Sequence, residues 1–339
     1  MLRLLGILVT TLFAIVAAVL TWPGFFRVER TFPVAQIVAF RTVLTAAFAV
    51  LVLVLLLLAV VRPIRKLVLS VALVSALALA ANLVVVTGRG LGTPTLPEKT
   101  EASIRVLTWN TAGEATSPDM IAQTAVAMSA DVVSLPETPL ETGERVAVAM
   151  RELGQPMWAH HTEYGTNGWA ADSTTLLISP ALGDYAVIES AQDGSSNTST
   201  VPSVVAMPVS GEGPTIVAAH AVAPREDAMA GWRHDLQWLA DQCAGDDVIL
   251  AGDFNATLDH LARLGVDGGD LGRCRDAAAS TGNGSVGTWP TKLPPLVGSP
   301  VDHVMTGPAW RATGSVVLSS LDGTGGDHRP LVVQLERTG

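Results

Sequence analysis

Val248-Ile249-Leu250-Ala251-Gly252-Asp253-Phe254-Asn255 is the stretch on which the reading of this chain turns. A short, bounded apolar run leads into Gly-Asp-Phe-Asn, which predicts a buried strand delivering polar groups beyond its carboxyl end. Gly252 lets the backbone turn or approach a neighbour closely. Asp253 and Asn255 stand two residues apart, so on an extended backbone their side chains face the same way. A carboxylate beside an amide suits a hard cation together with a water or a phosphate oxygen. Alone, an Asp-x-Asn after a strand is also ordinary turn chemistry.

The same ending recurs along the chain. Ile104-Arg-Val-Leu-Thr-Trp-Asn closes on Asn110, Asp131-Val-Val-Ser-Leu-Pro-Glu on Glu137, and Thr215-Ile-Val-Ala-Ala-His on His220. Val301-Asp-His-Val-Met carries Asp302 and His303, and Gly326-Asp-His-Arg-Pro precedes the strand-like Leu331–Leu335. In order and spacing, from about Ile104 to the C-terminus, these segments resemble the endonuclease/exonuclease/phosphatase superfamily. Those metal-dependent phosphoesterases include DNase I-like nucleases, inositol-phosphate phosphatases and sphingomyelinases. The alternation of strand-like and helix-like segments by itself predicts a mixed α/β sandwich. The resemblance implies a DNase I-like α/β (α+β) four-layer sandwich: two mixed β-sheets flanked by helices, with the site at one sheet edge.

Phosphoester hydrolysis needs a cation, an orienter or base for water, donors to the non-bridging oxygens, and help for the leaving group. The resemblance puts Mg²⁺, or Mn²⁺, at Asn110 and Glu137, with Asp327 a further metal or water ligand. Oxygen-rich, thiol-free ligation suits such hard cations. It also implies that Asp253 orients or deprotonates the attacking water, Asn255 holds that water or a phosphate oxygen, and His220 and His328 contact phosphate. Asp302 would then fix the tautomer of His328. His303 follows Asp302 and points to the opposite face of the strand, which predicts a structural role. Arg329-Pro330 and Gly287-Thr-Trp-Pro290 fit the family pattern as shapers of the site. Two departures stand out: Pro136 occupies the place before Glu137 where many relatives carry an amide, and no carboxylate partner for His220 is identifiable. Neither a Gly-x-Ser-x-Gly elbow nor a Gly-x4-Gly-Lys-Ser/Thr phosphate loop occurs, which makes a Ser-His-Asp hydrolase a poor rival.

The front of the chain differs. Leu4–Trp22, Thr42–Val61 and Leu67–Thr87 are uncharged runs of 19, 20 and 21 residues, each long enough to cross a hydrocarbon core of roughly 30 Å. Arg62, Arg65 and Lys66 between the second and third runs predict a cytoplasmic loop, with Met1 inside and everything after Thr87 outside. Arg27, Arg30 and Arg41 oppose that orientation. Arg41 is expected to snorkel to the outer interface. Residues 1–87 thus read as a three-span module, Gly88–Ser103 as a flexible linker, and 104–339 as the phosphoesterase domain.

Cys243 and Cys274 are the only cysteines; an exported domain could join them across a loop, and two buried thiols are the alternative. From Ile104 onward the chain has 12 basic and 28 acidic residues, a net of −16, and one lysine, Lys292. A non-specific grip on a long polyanion calls for a basic surface, so nucleic acid is disfavoured as main substrate. The composition, rich in Ala, Val and Gly and poor in Lys, suggests a high-GC bacterium. The expectation is a membrane-embedded, outward-facing, divalent-metal phosphoesterase acting on a lipid, envelope or nucleic-acid phosphoester, with no protein partner identifiable. A nuclease acting on extracellular DNA or RNA and a non-catalytic binding or sensor module are the alternatives.

Overall fold

The computed structural model describes residues 2–93, 95–165, 168–192 and 194–339. The chain divides into two units, Met1–Gly88 and Arg89–Gly339.

The first unit is helical: α1 (Leu2–Thr21), α2 (Pro23–Phe26), α3 (Val34–Val38), α4 (Arg41–Leu58) and α5 (Arg65–Arg89). Arg3–Thr21, Arg41–Leu58 and Arg65–Arg89 are long and apolar enough to cross a membrane. Ala17, Phe48 and Ala78 join α1, α4 and α5, while Leu8, Leu53, Leu57, Leu73 and Leu77 are left exposed. That inversion suits helices surrounded by lipid rather than water. Arg41 does not snorkel. It is buried, with Nη1 donating to Asn82 Oδ1 (2.6 Å) and Thr21 O (3.2 Å), while Asn82 Nδ2 donates to Thr21 Oγ1 (3.2 Å). Without water at hand, a guanidinium finds acceptors inside the bundle.

The second unit holds strands β1 (Ser103–Thr108), β2 (Val132–Pro136), β3 (Trp158–Glu163), β4 (Ser173–Ile178), β5 (Tyr185–Val187), β6 (Val204–Pro208), β7 (Thr215–His220), β8 (Val248–Asp253), β9 (Arg275–Asp276), β10 (Asp302–Thr306), β11 (Trp310–Val317) and β12 (Leu331–Arg337). Its helices are α6 (Pro118–Ala127), α7 (Leu140–Glu152), α8 (Met229–Gln242) and α9 (Ala277–Ser280). The strands form two six-stranded mixed sheets, ordered β11-β12-β1-β2-β4-β3 and β5-β6-β7-β8-β10-β9. Strand alternation splits the apolar residues between two cores. Ile104, Val106, Val132 and Leu176 face Ala218, Ile249, Ala251 and Val304 of the other sheet. Leu107, Trp109, Val133 and Leu135 face outward onto Ile121 and Ala125 of α6 and Val146 and Met150 of α7. Ser134 Oγ crosses between the sheets to Ala251 O (2.7 Å).

Register brings the functional ends together. β1 and β2 run parallel, as do β7 and β8, with His220 opposite Asp253. β10 returns antiparallel with Asp302 opposite Asp253, and β12 returns beside β1 with Leu331 opposite Thr108. Gly252 is required because a Cβ there would lie 1.8 Å from Ala219 O. Cys243, just past α8, is joined to Cys274 by a disulfide, which resolves the two alternatives for these residues.

Three further expectations are corrected. Asn255–Leu264 reads as a short helix but forms turns, because Asn255 takes φ 47° and the Thr257 amide is held by His260 Nδ1 (2.8 Å). Gln192–Thr200 reads as a mobile loop, yet Asn197 and Thr198 are fully buried. Asn197 Oδ1 accepts from Thr198 N (2.8 Å) and Ser203 N (3.1 Å), and Ser199 N donates to Asp235 Oδ1 (2.7 Å). Gly88–Ser103 reads as a flexible linker, but from Arg89 on it is tied to its unit. Gly92 N donates to Gly282 O (2.9 Å), Thr93 Oγ1 to Ser315 O (2.9 Å) and Gln334 Nε2 to Glu98 O (3.0 Å). A polar segment that finds fixed partners is ordered whatever its composition.

Candidate active site

Asn110 lies just beyond β1 and Glu137 just beyond β2. Glu137 sits at φ 57°, a left-handed conformation that non-glycine residues adopt at a cost and that turns its carboxylate off the strand. Asn110 Nδ2 bridges the two acids, donating to Glu137 Oε1 (3.0 Å) and Asp253 Oδ2 (3.1 Å), while its Oδ1 accepts from Ala112 N (3.0 Å). Asp253 ends β8. Its Oδ1 accepts from Asn255 N (2.8 Å) and its Oδ2 from Asn255 Nδ2 (3.2 Å). The left-handed φ of 47° at Asn255 is what folds that amide back.

The two histidines flank this core in different electrostatic states. His328 Nδ1 meets Asp302 Oδ2 at 2.8 Å and its Nε2 lies 3.7 Å from Asp253 Oδ2. Burial alone would lower its pKa, but Asp302 and Asp253 overcome that and raise it to about 10. His328 is therefore an imidazolium at neutral pH. His220 Nε2 lies 3.8 Å from Glu137 Oε1, and burial, helped by the charge on His328, pushes its pKa down to about 3. It is a neutral imidazole, and its buried Nδ1 has no hydrogen-bond partner. The Asp253 carboxyl is raised, mainly by burial and further by Asp302, against the opposing pull of His328.

Asp327 stands at the exposed rim, where its Oδ2 accepts from Trp289 Nε1 (3.0 Å). With Glu137, Asp253, Asn255 and His328 these two residues line a cleft of about 350 Å³. His303 faces away, as its register opposite Gly252 requires. Its Nδ1 meets Asp276 Oδ2 (2.6 Å) and its Nε2 meets Ala256 O (2.8 Å). Arg225 is exposed and lies 3.9 Å from Asp227, away from the cleft lining.

Several supports surround the site, and those from Trp109 and Ser203 have no signature in the sequence. The indole of buried Trp109 donates to His328 O (3.0 Å), and Ser203 Oγ accepts from His220 N (2.9 Å). Thr288 Oγ1 accepts from the amides of Val301 and Asp302 (both 3.1 Å). Arg329, fully buried, forks onto Asp322 (Nε to Oδ1 and Nη2 to Oδ2, both 2.7 Å). It also donates to the carbonyls of Gly287 (3.0 Å) and Leu293 (2.6 Å). The shaping role expected of Arg329 thus takes the form of a guanidinium clamp on the loop that carries Trp289.

Among the described residues Asp253, Asp302 and His328 offer atoms within 4.8 Å of one another and could hold a metal ion. Of the set expected from the sequence, Glu137 and Asp327 border the same place from its open side. Asn110, by contrast, is buried outside the cleft lining, its Oδ1 taken by Ala112 N and its Nδ2 turned to the two acids, so it sits as an orienter of Glu137 rather than as a metal ligand. Nδ1 of His328 is already committed to Asp302, so the closed side behaves as a hydrogen-bonded relay, and the open side offers oxygen donors to the cleft. Three carboxylates, those of Glu137, Asp253 and Asp302, surround a single imidazolium. Asp253 and Asp302 are buried and Glu137 is half-buried; this crowding of acids calls for a cation, and the carboxylates of Glu137, Asp253 and Asp327 that line the cleft fit a hard divalent one.

A family model described as the Endonuclease/Exonuclease/phosphatase family matches residues 107–328. Solved structures share the fold. An endonuclease/exonuclease/phosphatase from Beutenbergia cavernae DSM 12333 is 20% identical, covers 70% of this chain and 72% of its own, and superposes with a TM-score of 0.54. A family protein from Leptotrichia buccalis C-1013-b is 13% identical over 69% of this chain and 99% of its own, with a TM-score of 0.53. A humanized D. rerio TDP2 is 14% identical over 70% of this chain and all (100%) of its own, with a TM-score of 0.50. No curated protein matches the chain.

Proposed function

The chain belongs to the endonuclease/exonuclease/phosphatase family, hydrolases acting on phosphoester bonds, and on that premise we propose that it is a membrane-anchored, divalent-metal-dependent phosphoesterase. Glu137 would hold the cation from the open side of the cleft, with Asp327 at the rim, and Asn110, whose amide nitrogen meets both Glu137 and Asp253, would orient the two acids. Mg²⁺, or Mn²⁺, bound there would neutralise phosphate charge and polarise the phosphoryl group. Asp253 orients the attacking water and takes its proton, a task suited to a carboxyl whose pKa burial has raised. Asn255 holds that water or a non-bridging oxygen. His328, charged and steered by Asp302, supplies a fixed positive donor for the transition state. His220, neutral and with an unpartnered Nδ1, offers a second polar contact to phosphate.

The observation that carries this reading is the position of Asn110, whose amide touches both Glu137 and Asp253 while one histidine flanks each acid. The Cys243–Cys274 disulfide and the basic loop at Arg62, Arg65 and Lys66 support an extracytoplasmic domain. A net of −16 from Ile104 onward favours lipid or envelope phosphoesters over nucleic acid.

The test is a panel: purified full chain in detergent given phospholipids, polyprenyl phosphates, inositol phosphates, DNA and RNA, with Mg²⁺ and with chelator. Turnover of a phosphoester that chelator abolishes and Asp253→Ala lowers by about 10³-fold or more is expected. Binding without turnover across the whole panel would instead identify a non-catalytic module on this scaffold.

A further inference from the structure

Between Asp276 and Asp302 the chain carries no acidic residue, although 28 of them fall from Ile104 onward. That stretch contains Trp289-Pro-Thr-Lys-Leu-Pro-Pro-Leu-Val-Gly298, an excursion whose two sides meet where Trp289 bridges Ser299. Its tip is apolar yet open to solvent: Leu293 is 37% exposed, Leu296 43% and Val297 37%. Lys292, the one lysine after Lys99, is exposed among them. The tip is firmly founded. Arg329 grips the carbonyls of Gly287 and Leu293, Thr291 N donates to Asp327 O (2.9 Å), and Thr291 Oγ1 donates to Gly326 O (3.0 Å).

Beside the tip runs a cleft of about 430 Å³ lined by Leu91, Val286, Pro295, Leu296 and Val317 among others. Leu91, itself 50% exposed, comes two residues after Arg89, where the third apolar helix ends. Two residues of chain reach at most about 7 Å, so one wall of this cleft is tethered that close to the end of a membrane-spanning segment. The tip carries a lysine and no carboxylate, and the nearest acids, Asp322 and Asp327, lie at its base. Exposed leucines on such a firmly held loop are the features of a segment that can enter a bilayer interface. The covalent connection to the anchor identifies which bilayer.

We propose that the Lys292–Val297 tip and the cleft beside Leu91 dock into the surface of the membrane that holds the helices, so that the site takes the phosphoester of a membrane-embedded amphiphile. The substrate clause rests on the phosphoesterase reading above; the docking clause does not. Trp289, at the foot of the tip, also lines the catalytic cleft, so docking brings that cleft to headgroup level.

Two measurements on the full chain in nanodiscs of phosphatidylglycerol and phosphatidylethanolamine test this. First, an NBD label is attached at Leu296→Cys, or at Val209→Cys as an exposed control, and nitroxide-labelled lipid is added. At least twofold stronger quenching at position 296 than at 209 is expected; equal quenching overturns the docking. Second, the double variant Leu296→Asp, Val297→Asp, whose residues lie outside the Arg329 clamp, is given a fluorescent phosphodiester lipid in the bilayer or soluble bis(p-nitrophenyl) phosphate. Turnover of the lipid should fall at least tenfold and that of the soluble ester should hold. A parallel fall on both, or on neither, overturns the substrate class. If wild type hydrolyses neither ester while position 296 is quenched, docking stands and the phosphoesterase reading fails.

Discussion

Asp302 and His303 are neighbours on β10, and each belongs to a buried His–carboxylate pair, yet the two pairs do opposite things. Asp302 lies buried behind the cleft-lining His328 and holds it by one ring nitrogen, leaving the other 3.7 Å from Asp253 and open to a substrate. His303 faces inward and has both nitrogens occupied, by Asp276 Oδ2 and Ala256 O, with the Phe254 ring 5.1 Å away. Both of its neighbours are acceptors, so both nitrogens carry protons, and the pair is a closed ion pair. A His–carboxylate pair becomes a site when its second nitrogen is left unspent; when both are used it becomes a pin.

The comparison can be broken most sharply at His328. His328→Ala should lower turnover of any phosphoester by about 10³–10⁴-fold per folded molecule, read from steady-state kinetics. His303→Ala should cost stability and spare turnover. Leaving Asp276 buried and unpaired costs about 3–5 kcal/mol of stability, read as a lowered thermal midpoint, while turnover per folded molecule stays within a few-fold. Were His303→Ala to abolish turnover in folded protein, the division into site and pin would be wrong. Asp302→Asn keeps the shape of the partner but removes its charge, and should lower kcat about 10–100-fold with a KM near wild type.

The smallest effect is a pH dependence. The pKa of His303 is raised: burial pulls it down, but Asp276 more than offsets this. A raised value stabilises the fold fully below the unfolded pKa of about 6.5 and loses that stabilisation as pH climbs through the folded value. Thermal midpoints measured from pH 6 upward should therefore fall more steeply in wild type than in His303→Gln. Parallel curves would remove the imidazolium from position 303.

The same contrast marks what the sequence could reveal. Strand ends announce themselves, because a short apolar run followed by a polar residue is a local pattern. Asn110, Glu137, His220, Asp253, Asn255, Asp302 and His328 all lie within one network, as motif order suggested. Period-two alternation was enough to turn His303 away from Asp302. It could not supply Asp276 or Ala256, which arrive from 27 and 47 residues away. The buried knot at Asn197 was hidden for a related reason: a run of Gln, Ser, Asn and Thr has the composition of a solvated loop whether or not partners wait for it. Arg41 failed similarly, since its acceptors lie 20 and 41 residues away on other helices. Asn255–Leu264 was misjudged because left-handed φ values leave little trace in hydrophobic spacing.

Arg329 has a consequence in mechanics. Its guanidinium sits on the residue next to His328 and grips carbonyls on both sides of Trp289, so the peptide carrying the charged histidine and the loop that leads to the apolar tip move as one lever. Such a lever has no slack. A force on the tip is felt at the imidazolium without any hinge in between, and the catalytic geometry is set when the chain folds rather than when a ligand arrives.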